Sequence, residues 1–177
     1  MKKHFTLTII LTVLLSIPAM AQRAHREVGS FSADFGIGLG TAGRSGYSFV
    51  LPPLKVDADY TVLNFGKNMS LSVGGYFCLG VDRLKSYDTT VTSFLVGPMV
   101  SFRYAIAENF NLFSRGIVGY IGVKTSDPIV NSYVRGSRAG AGFYLGGTWF
   151  FSPKIGLGAE FGYGSPTNLG VHLTINI

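Results

Sequence analysis

Residues 139–163 constrain the fold more than any other stretch. They read A-G-A-G-F-Y-L-G-G-T-W-F-F, then S-P-K, then I-G-L-G-A-E-F-G-Y. The odd positions are mostly large and apolar: Phe143, Leu145, Trp149, Phe151, Ile155, Leu157, Phe161 and Tyr163. The even positions are mostly small or polar: Gly140, Gly142, Gly146, Thr148, Gly156, Gly158, Glu160 and Gly162. Strand side chains change face at every residue, so this pattern is two strands sharing one greasy and one sparse face. The turn Ser152-Pro153-Lys154 sets Phe151 opposite Ile155 and keeps the greasy face continuous. A soluble sandwich or barrel turns its large side chains inward and would offer the glycine face to water. An apolar exterior in lipid around a small, polar interior fits the pattern better.

The N-terminus has the build of an export signal. Lys2-Lys3 forms a basic start, residues 5–17 an apolar core, and Ala19-Met20-Ala21 an A-x-A cleavage site. The apolar run is short of the ~20 residues a spanning helix needs, and Pro18 ends it. The sequence therefore predicts a cleaved signal peptide over 1–21 and one barrel domain over 22–177. Without Lys2 and Lys3 the formal charge of +6 falls to +4. No basic run resembles a nucleic-acid footprint. The single Cys78 cannot form an internal disulfide.

Alternation continues along the mature chain. Residues 22–28 are polar and expected to fray. Strands are predicted over 29–40, 54–65, 69–80, 90–106, 110–123, the two strands of 139–163, and 169–177. The connections at Lys67-Asn68, Ala107-Glu108-Asn109 and 152–154 are short; 41–53, 81–89 and 124–138 are longer, while 165–168 is a short loop. Gly66 opposite Met69 would give a two-residue hairpin with Asn68 tolerating positive φ. Pro98 inside the fourth strand suggests a bulge or bend. The fifth strand is the least regular: placing Arg115 inside also puts Phe113 and Ile117 inside. Eight strands with alternating connection lengths predict an antiparallel up-and-down transmembrane β-barrel of the all-β class, with both termini periplasmic.

With this pattern, size and leader, the chain resembles the small eight-stranded outer-membrane barrels of the OmpA/OmpX type, in the broad group common in Bacteroidetes. The resemblance covers the whole mature chain and implies a bacterial outer-membrane location. It ends in Ile177, where many such barrels end in an aromatic residue. The partners it implies are outer-membrane lipids, lipopolysaccharide and the barrel-assembly machinery, with the protein a monomer and no cofactor.

The alternation also sends charges inward. Asp34, Asp57, Asp59 and Glu160 should face Arg103 and Arg115 across the lumen, with His172 and Lys55 nearby. Buried charges must pair, so a lumen filled by salt bridges is expected, with Arg103 and Arg115 opposite each other across the 107–109 turn. An eight-stranded interior is just wide enough for side chains to fill. A narrow channel or small-solute porin is the alternative. Glu160 and His172 are expected opposite each other, half of a nucleophilic triad, but no serine is convincingly placed and an enzyme, such as one modifying lipid A, is the weaker expectation. No metal-ligand spacing appears. The longer loops hold Arg44, Arg83, Lys85, Lys124, Arg135 and Arg138 against Asp82, Asp88 and Asp127. This basic excess favours lipopolysaccharide phosphates, with Arg135 and Arg138 as the leading contacts.

Overall fold

The computed structural model describes residues 26–39, 47–84, 89–127, 137–164 and 166–177. The predicted signal peptide over 1–21, and Arg44, Lys85, Asp88 and Arg135 with it, lie outside the described residues. Eight strands run in order: β1 Phe31–Gly38, β2 Tyr47–Phe65, β3 Met69–Leu84, β4 Thr89–Ala107, β5 Phe110–Thr125, β6 Arg138–Phe150, β7 Ile155–Tyr163 and β8 Leu169–Asn176. Each pairs antiparallel with its sequence neighbours, and β1 pairs β8 from Ser32↔Asn176 to Gly38↔Gly170, closing the barrel. Among the described residues there is no helix.

The predicted faces hold. Phe31, Phe35, Ile37, Val56, Phe77, Val100, Leu112, Val118, Phe143, Leu157, Phe161 and Tyr163 are exposed on the outside. Ser32, Asp34, Asp57, Ser72, Tyr76, Arg103, Arg115, Thr148, Glu160 and His172 are buried within. Tyr163 is 79% exposed and Arg115 0%. An exterior that apolar would not be stable against water, but it is the surface a membrane-spanning barrel presents to lipid.

Lengths and turns differ from expectation in ways that have causes. The residues predicted as a loop over 41–53 include the start of β2, which runs from Tyr47. It absorbs the Pro52-Pro53 pair through register shifts between Phe49 and Leu51 and between Leu51 and Leu54. β3 runs to Leu84 and β4 starts at Thr89, so the loop expected over 81–89 is mostly strand. The first short turn is Gly66-Lys67-Asn68 between paired Phe65 and Met69, one residue longer than expected, and Gly66 takes a positive φ of 69°. Pro98 makes no bulge: β4–β5 keeps one register from Val96↔Tyr120 to Met99↔Ile117 on either side of it. Bulges fall instead between Thr61 and Leu63 and between Ala105 and Ala107.

Candidate functional site

The lumen is where the fold gathers chemistry, and it is built in layers. At the short-turn end, the segment before β1 folds back into the barrel mouth. Gly29, with φ of 94°, turns the chain, and its N–H donates to the Thr61 carbonyl at 2.9 Å. Ser30 N–H donates to the Glu27 carbonyl at 3.1 Å. This places Arg26 inside, only 4% exposed. Its Nη1 donates to Asp59 Oδ1 at 2.7 Å and its Nη2 to Ser32 Oγ at 2.6 Å. The expected fraying of 22–28 is thus wrong at Arg26, because a buried carboxylate offers its guanidinium a partner that water cannot match. Nothing local in the sequence marks Arg26 as inward, since it belongs to no strand.

Above it, Arg103 Nη2 donates to the other oxygen of Asp59 at 2.6 Å. Arg115 then gathers three carboxylates. Its Nη1 lies 3.0 Å from Asp57 Oδ2 and 3.2 Å from Glu160 Oε2, and its Nη2 pairs with Asp34 Oδ2. Lys55 Nζ reaches Glu160 Oε1 at 2.7 Å and Asp57 Oδ2 at 3.3 Å. Four cations, Arg26, Lys55, Arg103 and Arg115, therefore meet four carboxylates, Asp34, Asp57, Asp59 and Glu160, and this network is formally neutral. Neutrality and close pairing offset the heavy cost of desolvating each charge.

Register corrects two of the expected juxtapositions. Arg103 and Arg115 do not face each other: Arg103 stands opposite Phe113 and Arg115 opposite Ser101. The bulge between Ala105 and Ala107 and the tight turn from Ala107 to Phe110 set this register. Phe113, an awkward inward residue by alternation alone, separates the two arginines. Its ring centroid lies 5.6 Å from the Arg103 guanidinium carbon and 4.3 Å from that of Arg115. Two like charges thus pack against one aromatic ring instead of facing each other across the strand pair, and cation–π attraction stabilises both. Glu160 and His172 also miss each other: Glu160 pairs with Gly170, and His172 with Gly158. The connection from β7 to β8 is longer than its sequence suggested, with Gly162 N–H donating to the Asn168 carbonyl at 2.8 Å. His172 lies edge-on to Phe113 at 5.5 Å, and its Nε2 is 3.4 Å from Thr148 Oγ1 and 4.0 Å from Asp34 Oδ2. The acid–base pair expected across that loop is absent.

Toward the long-loop end the lumen turns apolar. Tyr76, Cys78, Leu95, Met99, Ile117, Ile121 and Tyr144 form one buried cluster, with Tyr76 and Tyr144 stacked at 6.0 Å. Cys78 is a small filler there. Above this layer, Tyr144 Oη donates to the Thr167 carbonyl at 2.9 Å. Pro53, Pro166 and Thr167 are buried over the mouth. A Cβ on Gly80 would come within 2.9 Å of Pro166, and one on Gly38 within 2.9 Å of Pro53, so these glycines leave the room those residues occupy.

The basic loop residues are distributed differently from expectation. Arg83 and Lys124 are not in loops but near the ends of β3 and β5. Both are exposed and lie on the outward side, flanking Thr90 and Thr92 of β4. The outward Phe94 and Tyr120, with ring centroids 6.0 Å apart, lie below them on the neighbouring strands. Arg138 opens β6 opposite Ile121, on the lumenal side, so it belongs to the mouth and not to the outer belt. Asp82 is buried, with its side chain inward. Asp127 lies beyond the end of β5.

No protein-family model and no curated protein matches the sequence. Among solved structures, the chain is similar to Ail, the attachment invasion locus protein of Yersinia pestis: 13% identity, TM-score 0.51, covering 85% of this chain and 96% of Ail. The fold is that of a small membrane-spanning barrel. A de novo designed transmembrane β-barrel aligns with TM-score 0.49 and 13% identity over 86% of this chain and 98% of the design. The N-terminal barrel domain of OprF from Pseudomonas aeruginosa aligns with TM-score 0.46 and 10% identity over 86% of this chain and 100% of that domain. At such identities the likeness to Ail speaks for the fold alone.

Proposed function

We propose that the chain is an integral barrel of the bacterial outer membrane with a structural and surface-binding role, its lumen closed by ion pairs and its long-loop side contacting the phosphates of lipopolysaccharide. In this orientation the short-turn end and both termini are periplasmic. The observation that carries it is the unequal length of the strands. β1, β7 and β8 have 8, 9 and 8 residues, whereas β2 and β4 have 19 each. At ~3.3 Å per residue, 19 residues reach roughly 60 Å along the strand. Tilted as barrel strands are, that is about 45 Å of height, against an apolar band about 25 Å tall. The surplus stands on the long-loop side, with Val50 and Leu51 exposed on it and Arg83 and Lys124 facing outward.

Supporting a binding role over transport, the lumen holds an ion-paired layer, an apolar layer and an inward-folded loop in series. The fold neighbour Ail was solved in complex with a heparin analogue, sucrose octasulfate, a polyanion. The same chemistry here would use Arg83 and Lys124 as the cations, with Tyr120 at the level where aromatic residues meet headgroups. Each cation near an anionic membrane surface contributes about 1 kcal/mol. The double variant Arg83→Ala, Lys124→Ala is therefore expected to weaken lipopolysaccharide binding by the purified barrel about 10- to 30-fold. Its heat-modified gel mobility should stay unchanged. Unaltered affinity in the double variant would make the outward charges incidental and overturn the lipopolysaccharide contact, and a stepwise conductance in planar bilayers would replace this reading with the narrow-channel one.

A further inference from the structure

The seat of Arg26 has the form of a ligand site. Asp59 and Ser32 are 2% and 1% exposed, and Arg26 is 4% exposed between them. The guanidinium spans the two acceptors, Nη1 on Asp59 Oδ1 at 2.7 Å and Nη2 on Ser32 Oγ at 2.6 Å. Asp59 does not depend on Arg26 for a counter-charge, because its second oxygen is held by Arg103 at 2.6 Å. Ser32 and Asp59 are themselves fixed as directly paired neighbours on β1 and β2. Two acceptors thus stand at a fixed spacing set by the sheet, at the mouth of the barrel. Their occupant arrives on a segment outside the sheet, and from Glu27 to Ser30 that segment is held by only a few hydrogen bonds.

We propose that Asp59 and Ser32 form a guanidinium-binding site at the short-turn mouth, and that Arg26 fills it as a tethered ligand. A planar fork is what this spacing selects. An ammonium is a compact point charge and does not bridge two acceptors with parallel donors in the same way. When the N-terminal segment leaves, the site is open to a guanidinium from solution or to an arginine side chain of another chain. The lumenal network then carries one net negative charge, which favours the return of a cation to the mouth.

Chemical rescue tests this directly. Arg26→Ala barrels in detergent micelles should unfold at a lower midpoint than the parent. Added ethylguanidinium, at about 10 mM and above, should raise that midpoint in proportion to the logarithm of its concentration, as a ligand specific to the folded state must. Ethylammonium chloride or sodium chloride at equal concentration should not. Ethylguanidinium should leave the parent midpoint in place, because Arg26 already fills the site. It should also fail with Arg26→Ala, Asp59→Asn, which lacks the charged acceptor. If Arg26→Ala does not refold, refolding yield with and without ethylguanidinium becomes the measure. Restored yield supports the site; equal failure in both overturns it. An unchanged midpoint in Arg26→Ala, or rescue by ethylammonium as strong as by ethylguanidinium, also overturns it.

Discussion

Replacing Arg115 with alanine is expected to destabilise the folded barrel by about 3–5 kcal/mol, the usual cost of removing one partner from a buried ion pair. Arg115 is wholly buried and touches Asp34, Asp57 and Glu160. Lys55 can still serve Asp57 and Glu160, but Asp34 keeps only His172, at 4.0 Å. The loss should therefore concentrate on Asp34. The double variant Arg115→Ala, Asp34→Asn should recover part of the stability, since it no longer strands a carboxylate. Urea unfolding in micelles, read by tryptophan fluorescence of the single Trp149, measures both. Conductance of Arg115→Ala in planar bilayers should stay near zero, because the apolar layer around Tyr76, Leu95, Met99 and Tyr144 is untouched. A large rise in conductance would mean that Arg115 itself closes the lumen, and the barrel would then be a gated channel.

The second large effect lies in two facing glycines. On Gly97 an added Cβ would sit 2.2 Å from the Val118 carbonyl oxygen and 2.6 Å from the Gly119 Cα. On Gly119 it would sit 2.1 Å from the Val96 oxygen and 2.8 Å from the Gly97 Cα. These are backbone atoms of paired strands, so no side chain can rotate to make room. Gly97→Ala or Gly119→Ala should cost about 3 kcal/mol or more, at the upper end for overpacking, or prevent closure of the barrel. Gly75 and Gly116, on the exposed outer face, have nothing within 4 Å of an added Cβ, and alanine there should be close to neutral. Heat-modified gel mobility of the four variants separates the two pairs. Equal folding of all four would show that the strands can move apart at Gly97 and Gly119 without loss.

These glycines also mark the boundary between local and global information. Alternation assigns glycine to the inner face because it is small. It does not say that at Gly97 and Gly119 the missing side chain lets two backbones approach as the sheet curves. That follows only from the closed barrel, in which an inward-curving sheet crowds its concave face.

The sequence by itself determined the barrel, its outward and inward faces, and six of its eight strands nearly to their ends, because period-2 hydrophobicity is a local property and lipid allows only one choice of exterior. It also put Asp34, Asp57, Asp59, Arg103, Arg115, Glu160 and His172 in the lumen, since facing follows from parity alone. Only the tertiary structure decided who meets whom. Register depends on turn lengths and on the bulge between Ala105 and Ala107, and a shift of two residues preserves every face while changing every partner. That is why Arg103 meets Asp59 and the Phe113 ring instead of facing Arg115, and why Glu160 binds Lys55 and Arg115 instead of His172. Arg26 was beyond local pattern altogether: it lies outside the strands, and its burial exists only because closing β1 onto β8 makes a mouth for it to enter.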